Sequence, residues 1–210
     1  MQKGPTSGAA SRRPWAERHA HLLDAAEQLF FERGFAAVSL SDIAQAAGVT
    51  KPIAYRHFKT KDGAYLACAR RAQADFAQAL VQQADPTQAV REQFAAAADL
   101  FYELLETHPE RWELIYGSAA VLPAESRDEL SALRLGNIET TYALITKDHP
   151  DIPKLFAEGL SHAMSGAAER LGHWWRSRPD LDRQHMVDIH VEIFYAAVAP
   201  YLDSQSTAKR

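Results

Sequence analysis

Lys51, Tyr55, Arg56, His57, Lys59 and Lys61 place six hydrogen-bond donors within eleven residues. Lysine and arginine neutralise phosphates and release the counterions condensed on a duplex. Tyrosine hydroxyl and imidazole N–H groups bond phosphate oxygens and fix register without reading sequence. A lysine or arginine that reaches a guanine edge does read it. This set of residue types fits a nucleic-acid backbone better than it fits a reaction.

Other chemistries were weighed against it. Nine histidines raise the question of a metal. His185 and His190 are five apart and do not share a helix face. His162 and His173, eleven apart, can align but have no third ligand at metal spacing. His19 and His21 diverge on a helix. No metal and no cofactor are expected. The lone Cys68 excludes a disulfide framework. No Gly-x-Ser-x-Gly elbow, phosphate-cradling glycine loop or His-Glu-x-x-His pair is present. His190-Val191-Glu192 lacks the downstream Pro-Cys-x-x-Cys of zinc deaminases. An enzyme is not expected.

The donors need elements to aim them. Ser39 is a natural N-cap, and Asp42 three residues later gives a capping-box-like start. A short helix over about 40–47 carries Ile43, Ala44 and Ala47 on one side. Gly48 stops it with a tight turn, and Val49 plugs the turn. Thr50 caps a second short helix whose first turn tolerates Pro52. Two short helices joined by a glycine turn form a helix-turn-helix, whose second helix enters the major groove. The motif spans about 39–58.

A first helix is expected from Trp15 to Gly34, with Leu22, Leu23, Ala26, Leu29 and Phe30 inward. Beyond the motif, the pattern predicts helices over about 60–84, 86–107, 110–120, 125–147, 153–177 and 181–203. Pro86, Pro109, Pro123, Pro150, Pro153 and Pro179 mark the breaks. The apolar set on the helix over 110–120 is Trp112, Ile115, Tyr116 and Ala119. No alternating strand pattern or Asn-Gly hairpin signal occurs. The expected fold is all-α, about nine helices, with a three-helix N-terminal unit. The 38 alanines agree with this, although genome composition also raises alanine.

Composition bounds the rest. The chain has 210 residues, 23 Lys+Arg against 27 Asp+Glu, and a net charge of −4. A polyanion binder working by bulk charge is excluded. The charge is segregated, however. Residues 1–66 hold nine cations and six anions, and residues 67–210 hold 14 and 21. The reader end is thus +3 and the remainder −7, as expected of a DNA reader with a separate sensing domain. Residues 1–14, rich in Gly, Pro and Ser with three cations, read as a flexible basic arm. Residues 15–66 read as the DNA-binding domain and 67–210 as a ligand-binding and dimerisation domain. No apolar run reaches the length of a membrane span, and no secretory signal is visible, so a cytoplasmic protein is expected.

Segment 15–66 resembles the DNA-binding domain of the TetR/AcrR family of bacterial transcriptional regulators. The matching residues are Ser39-x-x-Asp42-Ile43-Ala44, Ala47-Gly48-Val49, Thr50-Lys51-Pro52 and Tyr55-x-His57-Phe58-x-x-Lys61. The resemblance implies phosphate or backbone contacts at Ser39 and Ser41. It implies base-facing positions at Lys51, Pro52 and Ile53, and phosphate contacts at Tyr55, His57 and Lys61. Phe58 then anchors the recognition helix in the core. Thr50 and Arg56 complete the expected DNA-contacting set. Two places depart from the pattern: Ala54 stands where a large apolar residue is usual, and Ala64-Tyr65 replaces a common leucine.

The last two helices need partners. Gly159, Ala163, Gly166 and Ala167 form a small-residue stripe on one, beside Trp174. Ile189, Ile193 and Ala197 lie on the stripe of the other. The resemblance implies that this pair forms a two-fold four-helix homodimer bundle. Two recognition helices would then read half-sites of a palindromic operator. It also implies a cavity for a small effector, with Phe94, Phe101, Tyr102, Trp112, Tyr116 and Tyr142 as candidate walls. The expected function is a homodimeric repressor of transcription, released from duplex DNA by that effector. An activator or dual regulator is the alternative. An all-α carrier or enzyme is the alternative from another class.

Overall fold

In the computed structural model, residues 14–117 and 122–208 are described. They form nine helices and no strand: α1 (Trp15–Ala37), α2 (Leu40–Ala46), α3 (Lys51–Phe58), α4 (Lys61–Gln83), α5 (Val90–Thr107), α6 (Pro109–Tyr116), α7 (Ala124–Asp148), α8 (Lys154–Arg176) and α9 (Arg183–Ala208). The expected basic arm, all but Pro14, and Ala119 lie outside the described residues. No helix among the described residues is long and apolar enough to cross a membrane.

The sequence signals act where they were read. Leu22, Leu23, Ala26, Leu29 and Phe30 are all buried on one face of α1. That helix breaks at Gly34, whose φ of 73° is non-helical. Ser39 caps α2: its hydroxyl accepts from the Asp42 N–H at 3.2 Å, and the Asp42 carboxylate accepts from the Ser39 N–H at 2.8 Å. Gly48 takes a φ of 65° between α2 and α3, a conformation that only glycine adopts freely.

Helix starts deviate where side chains hold a turn open. α5 begins at Val90 rather than near 86, because the Asp85 carboxylate accepts from the Thr87 N–H and hydroxyl and holds those residues in a local turn. α9 begins at Arg183 rather than 181, with Asp182 accepting from the His185 N–H at 2.9 Å.

Two cores share the long helix α4. The first gathers α1, α2, α3 and the first part of α4, with Leu114, Leu122 and Leu130 closing it from the other side. The second joins Ala72 of α4 to α5, α6, α8 and α9. α6 serves both, with Leu114 in the first core and Ile115 and Tyr116 in the second. An ion-pair cluster ties the same three helices. The buried Glu27 of α1 pairs with Arg71 of α4 at 2.7 Å and with Arg111 of α6 at 3.4 Å. Arg71 and Arg111 reach outward to Asp24 and Asp75. Truncating either arginine would leave Glu27 as a buried, underpaired charge, which is costly.

Candidate nucleic-acid interface and ligand cavity

α3 is short, so its pose depends on what pins it. Ala54 and Phe58 are buried on its inner face. The small Ala54 is fully buried, in the same core as Tyr65. The Tyr65 ring meets Phe30 and Phe35 edge-on, at centroid distances of 5.3 and 5.6 Å. Its hydroxyl donates to the Leu114 carbonyl at 3.1 Å, and burial pushes its pKa up to about 12. The α3–α4 corner is tight. Lys59 sits at a φ of 63°. A Cβ on Gly63 would come within 2.4 Å of the Phe58 carbonyl oxygen, so the corner requires glycine there.

The outer face of α3 is a ledge of exposed donors. Thr50, Lys51, Pro52, Tyr55 and Arg56 are exposed, while Ser41 and Ile53 are half-buried beside them. Thr50 occupies the N-cap position, but its side chain makes no capping bond. Ser39 is also exposed, with its hydroxyl engaged in the α2 capping box. Arg56 lies 5.8 Å over the Trp15 ring.

Two expected phosphate contacts have partners within the protein. His57 turns inward, stacked on Trp15 at 3.6 Å and 16°. Its Nδ1 pairs with Nδ1 of His19 at 3.0 Å, so one ring donates and the other accepts. Nε2 of His57 is buried and makes no hydrogen bond. Burial lowers the pKa of both rings; next, His19, Arg18 and Arg56 act on His57, and Arg71 acts on His19. His57 is therefore a packing residue that fixes the end of α3 against the start of α1. Lys61 is the second. Its ammonium donates to the carbonyls of Phe35 and Ala36 at 2.8 and 3.2 Å, and lies 4.3 Å from the Phe35 ring centroid. It satisfies the carbonyls left open where α1 ends. Residue type alone could not foresee either result, because the partners lie 38 and about 26 positions away.

The second feature is a cavity of about 150 Å³ bounded by α4, α5, α7, α8 and His190 of α9. Of the candidate walls, Phe94, Phe101 and Tyr116 line it. Tyr102, Trp112 and Tyr142 do not. Tyr102 is fully buried between Phe101 and Trp175. Trp112 is fully buried against Gly172 and His173. Tyr142 belongs to a separate pocket with Ile138 and His162. Sequence periodicity marks all six as inward, but it does not show which wall faces a void.

Sequence reasoning missed the polar groups of this cavity. Asn137 is 5% exposed, and its Nδ2 donates to the Tyr116 hydroxyl at 3.3 Å. His190 is equally buried, and burial pulls its pKa down to about 4. It is therefore a neutral ring, 3.4 Å from the Tyr102 hydroxyl.

The proposed dimer stripe faces outward in this chain. Gly159, Ala163, Gly166, Trp174, Ile193 and Ala197 are exposed, and Ala167 and Ile189 are half-buried. Ile193 is 50% exposed and Trp174 39%. A Cβ on Gly159 or Gly166 would meet nothing within 4 Å.

Residues 22–68 match the family model for bacterial regulatory proteins of the tetR family. That segment holds most of α1, all of α2 and α3, and the start of α4. Over 203 residues the chain is 25% identical to the HTH-type transcriptional activator FasR of Mycolicibacterium smegmatis, covering 94% of this chain and 91% of that protein. It is 30% identical over 148 residues to the HTH-type transcriptional regulator EthR of the same organism, covering 67% of this chain and 65% of that one. The crystal structure of a TetR-like transcriptional regulator from Rhodococcus sp. RHA1 superposes with a TM-score of 0.68 at 27% identity, covering 90% of this chain and 99% of that one.

Proposed function

We infer that this chain, which belongs to the TetR family of bacterial transcriptional regulators, acts in the cytoplasm as a homodimeric repressor that a small effector releases from a palindromic operator. The observation that carries the reading is the α3 ledge. Lys51, Tyr55 and Arg56 are exposed on a helix whose other face is locked by Phe58, His57 and Trp15. A rigid helix with free donors suits major-groove docking.

The exposed stripe on α8 and α9 supports the homodimer. Small residues permit close helix approach, and Ile193 and Trp174 supply apolar area around them. α6 supports the release. It carries Tyr116 of the cavity wall and, one turn earlier, Arg111 bonded to Glu27 of the reader helix α1. An effector that prefers a different pose of α6 would shift the population toward a dimer with differently spaced reader helices.

FasR, which matches over 94% of the chain, is named an activator. That favours a second reading, in which the same DNA contacts recruit rather than block transcription. Selection of bound sequences from random DNA tests the core of the proposal. The expected result is a two-fold symmetric consensus with half-sites about 34–36 Å apart or more. An asymmetric or absent consensus sinks it. Ile193→Glu should yield a monomer in light scattering that binds poorly, and a variant that stays dimeric removes the assigned interface. A reporter downstream of the selected site then separates repression from activation by the sign of the change.

A further inference from the structure

The cavity is chemically narrower than an effector site need be. Its wall is mostly apolar: Phe94, Phe101 and Ala98 lie deep, with Phe76 and Leu80 farther along α4. No lysine or arginine is among the described residues that line it, and two carboxylates, Asp85 and Asp148, are. An anionic ligand would find no counter-charge there, and the two carboxylates at the edge carry its own sign. The inner polar groups are uncharged. One of them is unfulfilled: the Asn137 amide oxygen is buried and has no hydrogen-bond partner. A buried amide end left unpaired is a standing cost that a ligand can remove.

We propose that this cavity takes an uncharged, largely apolar molecule bearing one hydroxyl, phenolic or alcoholic, which Asn137 holds at the inner end. A hydroxyl both donates and accepts, so it satisfies the amide in either orientation. Rotation about the soft terminal torsion turns the amide toward it. The volume of about 150 Å³ is of the size that holds one benzene ring, and the cavity opens to solvent, so an alkyl tail would extend along Phe76 and Leu80. The proposal rests on the reading of this cavity as the effector site, but it concerns the ligand's chemistry and is separable from release.

The test is calorimetric titration of the full-length protein with para-butylphenol, butylbenzene and para-butylbenzoate. The phenol should bind about tenfold or more tighter than the hydrocarbon, the equivalent of one buried hydrogen bond. The benzoate should show no saturable binding. Asn137→Leu should erase the phenol's advantage and leave butylbenzene bound, since leucine repeats the branched outline of asparagine without its polar atoms. Equal affinity of phenol and hydrocarbon in the unaltered protein overturns the proposal. So does saturable benzoate binding, failure of the phenol to bind, or an advantage that survives Asn137→Leu. If that variant does not fold, the comparison of the three probes on the unaltered protein decides alone. DNA affinity measured with the same probes separates the two ideas. Selective phenol binding that leaves DNA affinity unchanged upholds the cavity chemistry and sinks the effector reading.

Discussion

The reader end and the cavity end of this chain are built from the same element, an α-helix, and differ in what fixes it. In the reader, helices of seven and eight residues are held by caps, a glycine turn and a filled core. In the cavity end, helices of 18 to 26 residues border an open cavity with a neutral histidine and an unpaired amide oxygen on its wall. Short helices are marginal alone and need every local support. Long helices supply their own backbone bonds and can leave a hole between them. A rigid reader and a more adaptable cavity end follow from that difference.

The largest expected effect breaks the comparison at its root, core against void. Ile43 of α2 is fully buried in the filled core. Ile43→Ala should cost about 2–5 kcal/mol, the range for deleting such a side chain from a packed interior. Ala98, which is buried and lines the cavity, should accept Ala98→Leu at a change below about 1 kcal/mol, because the void takes the added methylenes. Urea midpoints at constant slope report both. Similar losses at the two sites would mean that the ends are packed alike.

Acid should strike the cavity end next. His190 has a folded pKa of about 4 against an ordinary value of 6.5. Its unfolded form takes up a proton that the folded form refuses, so stability falls as pH drops below about 6.5 and the loss saturates below about 4. The full span is worth roughly 3 kcal/mol. His190→Phe should flatten that portion of the stability–pH profile. An unchanged profile would place the acid sensitivity elsewhere.

How much of this was legible follows the same division. Ser39, Asp42, Gly48, Pro52 and the α1 apolar face were readable because cap, turn and face act within a few residues of themselves. The helix count and most boundaries were readable from proline breaks and 3.6-residue periodicity. The fate of His57 and Lys61 was not, since Trp15, His19 and the α1 carbonyls reach them only through tertiary packing. Nor was the cavity wall. Tyr102 and Tyr116 carry the same inward signal, and only tertiary packing decides that one meets Trp175 of α8 and the other the cavity. Asn137 gave no signal at all, because a lone amide on a helix is ordinarily solvent-facing.

On the reader's surface the expected effects are smaller and fall on binding. Arg56→Ala removes an exposed cation from the α3 ledge. DNA affinity should fall about tenfold across all sequences, and the slope of log affinity against log salt should become shallower by about one. The urea midpoint should move by less than about 0.5 kcal/mol equivalent, as for most surface substitutions. A changed consensus would instead make Arg56 a base reader.

The smallest contrast lies inside the motif, between its two N-caps. Ser39 and Thr50 look alike in sequence: each is a hydroxyl residue at the position that precedes a short helix. Only Ser39 caps with its side chain, and its hydroxyl and N–H hold the Asp42 carboxyl below its usual range. Ser39→Ala should therefore lower stability by about 1 kcal/mol, the usual worth of such a cap. It should also let the Asp42 pKa rise toward its ordinary value, visible in a carboxyl NMR titration. Thr50 makes no capping bond, so Thr50→Ala should leave the urea midpoint nearly fixed. Any effect of Thr50→Ala should appear as weaker DNA binding, because that hydroxyl remains available to a phosphate. If both substitutions destabilise equally, Thr50 does cap in solution and its expected DNA contact loses its support. If Thr50→Ala alone weakens DNA binding, two residues in equivalent positions divide the work, one shaping the reader and the other touching what it reads.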